Sequence, residues 1–92
     1  MKPIRWTAHA KKKARLRAID RREAEVTVRH PARTSFGQPP RRITMRRYFD
    51  ATLKVDMLLR VVVEEAPDEL VIVTVYKTSR FQKYARENRH ED

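Results

Sequence analysis

Two apolar runs either side of an acidic break constrain this chain more than any other feature. Met57–Tyr84 reads MLLRVVVEEAPDELVIVTVYKTSRFQKY. Val, Ile, Thr and Tyr at this density favour strands, and Pro67 among Glu64, Glu65, Asp68 and Glu69 suits a turn. The pattern predicts an antiparallel hairpin of Met57–Glu65 and Leu70–Lys77. If Glu65 faces Leu70, Arg60 faces Val75. Alternation then puts Arg60, Val62, Val71, Val73, Val75 and Lys77 on one face. Leu59, Val61, Val63, Ile72, Thr74 and Tyr76 share the other. Both faces are mostly apolar, so these are interior strands. Arg60 is the exception, because a buried guanidinium is costly unless it is paired or reaches water. Two readings stand: a paired or snorkelling structural arginine, or an anion-binding group.

The N-terminal half reads as helices. Ile4–Trp6 is a short extended lead-in and Thr7 an N-cap, since its hydroxyl can accept from a free helical N–H. Ala8–Ala18 is rich in helix formers, with Ala10, Ala14 and Ala18 in a narrow stripe fit to lie close on a sheet. His9, Lys13 and Arg17 share the neighbouring stripe, as either a phosphate-binding row or a solvated basic face. Asp20 and Glu23 have capping-box spacing for a second helix, Arg21–Arg29, stopped by Pro31. Ala32–Gln38 is a candidate strand, broken by Gly37 and Pro39-Pro40. Arg41–Asp50 is another. Its Arg41, Arg42, Arg46 and Arg47 interleave with Tyr48 and Phe49, which suits nucleic acid or the protection of an edge strand. A second capping box at Ser79 predicts a last helix, Arg80 to Asn88, with Phe81, Tyr84 and Ala85 on one side and Lys83 on the other.

Charge then narrows the function. The 92 residues allow one domain with a small core. The formal net charge is +10, and it is uneven: residues 1–50 hold 15 Lys and Arg against 4 acids, and residues 51–92 hold 7 against 8. Such a field attracts polyanions, meaning RNA, DNA or an acidic protein. No run is long enough to span a bilayer and no signal peptide is visible, so no membrane partner is expected. The absence of cysteine excludes disulfides and thiolate metal sites and fits a cytoplasmic protein. A single glycine leaves no nucleotide-cradling loop, so no small-molecule cofactor is expected.

Thr7-Ala8-His9-Ala10, Lys13, Arg17, Ile19, the short second helix, Arg47-Tyr48-Phe49, Leu59–Val63 and Val71–Tyr76 together resemble a small prokaryotic family, domain of unknown function 4258. The resemblance covers roughly Ile4 to Tyr84. Ala18 stands where that family leads one to expect glycine. A wider resemblance is to toxin ribonucleases of the RelE and BrnT type. It implies helices packed on one side of a curved antiparallel sheet, and with the elements above the expected fold is α+β: two N-terminal helices packed on a curved antiparallel sheet of three to four strands, and a short C-terminal helix. It also implies RNA as substrate and a cognate antitoxin as partner.

Metal-free RNA cleavage needs a base for the 2′-hydroxyl, an acid for the leaving oxygen and fixed charge for the phosphorane. His9 is the expected base or acid, because imidazole titrates near neutrality. Arg60 and Arg80 are expected to hold phosphate, and Tyr76 to stack or donate a proton. Lys13, Arg17, Arg46, Arg47, Tyr48, Lys77, Lys83 and Tyr84 are the expected RNA contacts. The assumed pairing sets Arg60 and Lys77 opposite Tyr76, so convergence requires a bend. The three histidines lack metal-ligand spacing, and Asp50 and Asp56 are too isolated for two-metal chemistry. Two functions are expected: a metal-independent endoribonuclease, or a non-catalytic RNA- or DNA-binding module.

Overall fold

The computed structural model describes residues 1–81. Its elements are β1 (Ile4–Trp6), α1 (Ala8–Leu16), α2 (Arg21–Arg29), β2 (Arg33–Phe36), β3 (Arg41–Asp50), β4 (Val55–Glu65) and β5 (Leu70–Thr78). One sheet contains all the strands, in the order β1-β5-β4-β3-β2. The expected sheet of three to four antiparallel strands is therefore corrected to five, and to a mixed sheet. The added strand is β1, which pairs parallel with β5 through Ile4↔Leu70 and Trp6↔Ile72. Ile4–Trp6 reads as extended, but three residues are too few to show a period of two or to mark the segment as a strand of the sheet. β5 is the last element that the described residues contain in full. The helix expected over Arg80 to Asn88 falls, from residue 82 onward, outside them. No helix among the described residues is long and apolar enough to cross a membrane.

Both helices pack on one face of the sheet. Ala10 and Ala14 of α1 and Ala24 and Val28 of α2 meet Leu59, Val61 and Val63 of β4 and Ile72 and Val75 of β5. Trp6 and Ile19 close the ends of this core. Alanine at the contact lets each helix axis lie near the strands. Thr7 caps α1, its hydroxyl accepting from the Ala10 N–H at 3.0 Å. Asp20 caps α2 through the Arg22 N–H at 2.8 Å. Glu23 does not complete the expected capping box; its carboxylate pairs with Arg46 at 2.8 Å.

The end of α1 explains the missing glycine. Ile19 N–H donates to the Ala14 carbonyl at 2.8 Å, and Ala18 N–H to that of Arg15 at 3.3 Å. These are the two bonds of a Schellman motif, with buried Ile19 and Ala14 as its apolar pair. The motif needs a left-handed residue, and Ala18 supplies it at φ 52°. That places Ala18 outside the helix and exposed, so the expected alanine stripe ends at Ala14. A Cβ in this region costs about 1–2 kcal/mol, offset in part by the larger unfolded-state entropy of glycine. Ala18→Gly is therefore expected to raise the melting temperature by a few degrees, roughly 0.5–1 kcal/mol. A lower melting temperature in a thermal scan would remove this account of the helix end.

The β4–β5 hairpin has the expected start, Glu65↔Leu70, and then departs from it. Pairing continues through Glu64↔Val71 and Val63↔Ile72, but the next pair is Val62↔Thr74. Val73 is the extra residue of a β-bulge, and a bulge reverses the facing of every later side chain. Arg60 therefore faces Tyr76, not Val75. Val75 turns to the helices and is fully buried. Lys77 follows it to the same side. The expected face of Arg60, Val75 and Lys77 is split by this one residue.

β3 lies between β4 and β2, so its arginines guard no edge. Thr44, Arg46, Tyr48 and Asp50 face the helices. Ile43, Met45, Arg47 and Phe49 take the far face, in register with Arg60 through Met45↔Arg60.

Candidate nucleic-acid site

Three groups of charge emerge, on different sides of the sheet. The first is on the far face, away from the helices. Arg60 is 3% exposed there, between Met45 on β3 and Tyr76 on β5. Its guanidinium carbon lies 5.3 Å from the centroid of the Tyr76 ring, within cation–π range. Tyr76 itself is half-buried. Arg47, exposed on the same face, lies 4.2 Å from the Phe81 ring centroid. Phe49 is 62% exposed at the end of that row. Arg80 follows β5 directly, exposed, its N–H held by the Thr78 hydroxyl at 3.0 Å. The face thus offers guanidinium groups for phosphate and rings for bases.

The second group lies on the helix side and is neutralised within the fold. Lys77 donates to Asp50 Oδ2 at 2.5 Å and to the Ala18 carbonyl at 3.2 Å. The Tyr48 hydroxyl donates to the same Oδ2 at 3.0 Å. Asp50 Oδ1 accepts from the Thr52 and Leu53 N–H groups, each at 3.0 Å, and so shapes the β3–β4 turn. The Lys77 hydrogen bond, then that of Leu53, holds the Asp50 carboxyl down at about 2. Burial first, and the Asp50 acceptor next, push the Tyr48 phenol above its usual range. Arg46 is paired with Glu23; on the far face Arg41 pairs with Glu64 at 2.7 Å. Arg42 and Lys2 share Glu65. Arg46, Tyr48 and Lys77, expected to touch RNA, are thus engaged with groups of the chain itself.

The third group is α1. His9 is exposed and Lys13 half-exposed, while Arg17 reaches back to donate to the Val75 carbonyl at 2.7 Å. α1 packs on the face carrying Leu59, Val61 and Val63, and Arg60 points to the other face. The expected set of His9, Arg60, Tyr76 and Arg80 is therefore not brought together: Arg60 and Tyr76 meet, and His9 is across the sheet from them. Lys83 and Tyr84 lie outside the described residues. Among the described residues no three His, Asp or Glu side chains gather as metal ligands.

Two features escaped the sequence. The Asp50–Lys77 lock joins positions 27 residues apart, and its one local sign is an aspartate opening a turn. The bulge at Val73 left no sign in a run of β-branched residues.

A family model described as Domain of unknown function (DUF4258) matches residues 6–77. The chain belongs to that family. The match runs from the last residue of β1 to all but the last residue of β5, and takes in both helices and strands β2 to β4 whole. No curated protein and no solved structure matches the chain.

Proposed function

We propose that this DUF4258 domain is a metal-independent endoribonuclease of the toxin type, similar to RelE and BrnT ribonucleases, with its site on the far face of the sheet. The observation that carries this reading is the bulge-set pairing of Arg60 with Tyr76. Arg60 supplies fixed positive charge in a low-dielectric setting, where it acts most strongly on a developing phosphorane. Tyr76 supplies a phenol for proton transfer beside it. Arg47 and Arg80, at the rim, hold neighbouring phosphates. His9 has no part in this site. The location is cytoplasmic in this reading, and the partner that restrains the activity is an antitoxin.

The test is incubation of purified protein with end-labelled RNA in excess EDTA. Cleavage is expected, with 2′,3′-cyclic phosphate ends, and a 2′-O-methyl copy of the RNA should resist. Intact RNA after prolonged incubation, or equal cleavage of the 2′-O-methyl copy, would overturn the proposal.

A further inference from the structure

The outer surface of the helices carries charge that the far-face site leaves unused. Residues 8–29 contain eight Lys and Arg against three acids, and all three acids are committed. Asp20 caps α2, Glu23 pairs with Arg46, and Glu25 accepts from the Trp6 indole N–H at 2.9 Å. α1 itself contains no acid. Lys11 and Arg15 are one turn apart on its outward stripe, with Lys12 beside them, and all three are exposed. Arg22 and Arg29 repeat at seven residues along the outward stripe of α2. No ion pair of the described residues includes any of these five. Since α1 and α2 lie on the same face of the sheet, their stripes form one cationic surface. It ends beside a shallow cavity of about 380 Å³ lined in part by Arg29, His30, Lys2 and Arg42. The acid there, Glu65, already has both oxygens taken by Lys2 and Arg42.

We infer that this helical surface is a second docking site, for the phosphodiester backbone of a nucleic acid, separate from the far face. A run of like charges on a rigid layer is favourable when a polyanion covers it and releases its counterions. Phosphate contacts of this kind fix position without reading bases. The domain is 21 Å along its thinnest axis, so one straight strand cannot lie on both surfaces. The helical surface would hold a flanking segment of a long or folded nucleic acid. The inference needs no cleavage and stands or falls apart from the ribonuclease reading.

The experiment is fluorescence anisotropy with labelled 2′-O-methyl RNA and single-stranded DNA of about 20 nucleotides, across a salt series. For Lys11→Gln/Lys12→Gln/Arg15→Gln, Kd at moderate salt is expected to rise about 10-fold or more. The slope of log K against log salt should become shallower by about 2, since each lost phosphate contact removes about 0.7. Lys12→Glu alone, checked for helix content by circular dichroism, should weaken binding in the same direction. RNA and DNA should bind within a few-fold of each other. An unchanged Kd and slope in both variants would overturn the inference. So would displacement of the RNA by polyglutamate of equal charge at equal concentration, which would assign the surface to an acidic polypeptide.

Discussion

Arg60→Ala is expected to lower the rate of RNA cleavage by about 100-fold or more, equivalent to about 2.7 kcal/mol of transition-state stabilisation. The size follows from the setting. A fixed cation held away from water acts on a developing phosphorane with little screening, and no reorientation is needed at the moment of reaction. Truncation also opens space between Met45 and Tyr76, so a second variant separates chemistry from packing. Arg60→Met fills the volume without the charge and should be as inactive as Arg60→Ala. Arg60→Lys keeps the charge but loses the fork that grips two phosphate oxygens, and should fall between wild type and Arg60→Met. Melting curves recorded beside the rates show whether each protein is folded. Wild-type rates in a folded Arg60→Met would remove Arg60 from the chemistry.

Lys77→Ala should produce the largest loss of stability of any single exposed-looking charge in the sequence. The Lys77 and Asp50 side chains are 12% and 4% exposed. Removing the ammonium leaves a carboxylate buried against Tyr48 and the β3–β4 turn, and breaking such a pair costs far more than the pair contributes. A fall in melting temperature of about 10 °C or more at neutral pH is expected for a domain of this size. The pH dependence has a defined sign. The folded Asp50 carboxyl sits at about 2, below its ordinary 3.8. Its contribution is complete above the ordinary value and is lost as pH falls through about 2. Glu65, held at about 2 against an ordinary 4.5 by Lys2 and then Arg42, acts in the same sense. The melting temperature of the wild type should be level above about pH 5 and drop between about pH 4 and 2. Asp50→Asn should flatten part of that drop, and the gap between Lys77→Ala and wild type should narrow in acid. A gap that stays constant from neutral to acid pH would contradict the lock.

Local signals carried much of the architecture. The caps at Thr7 and Asp20, the span of α2, the bounds of β3 and the Glu65↔Leu70 pairing follow from side-chain oxygens, proline stops and turn residues, which act within a few positions. What stayed hidden is non-local. β1 gains its bonds from β5, more than sixty residues away. The arginines of β3 read as a binding row because their acids, Glu23, Glu64 and Glu65, are about twenty residues distant. For the site, Arg60 stood out as a charge in an apolar run and Tyr76 as a strand end. Their meeting depends on the bulge at Val73, and a uniform β-branched run does not show which residue will be left unpaired. His9 had the right chemistry by composition, but the alternation of Leu59, Arg60 and Val61 sends Arg60 away from the helix that holds it.

The side on which RNA chemistry occurs is best decided by measuring single-turnover cleavage rates of His9→Ala and Tyr76→Phe side by side, in EDTA and at saturating RNA. The account predicts that His9→Ala stays within about 2-fold of wild type, while Tyr76→Phe falls by about 100-fold. A His9→Ala rate reduced by about 100-fold, with Tyr76→Phe unchanged, would place the chemistry on α1 and contradict the account.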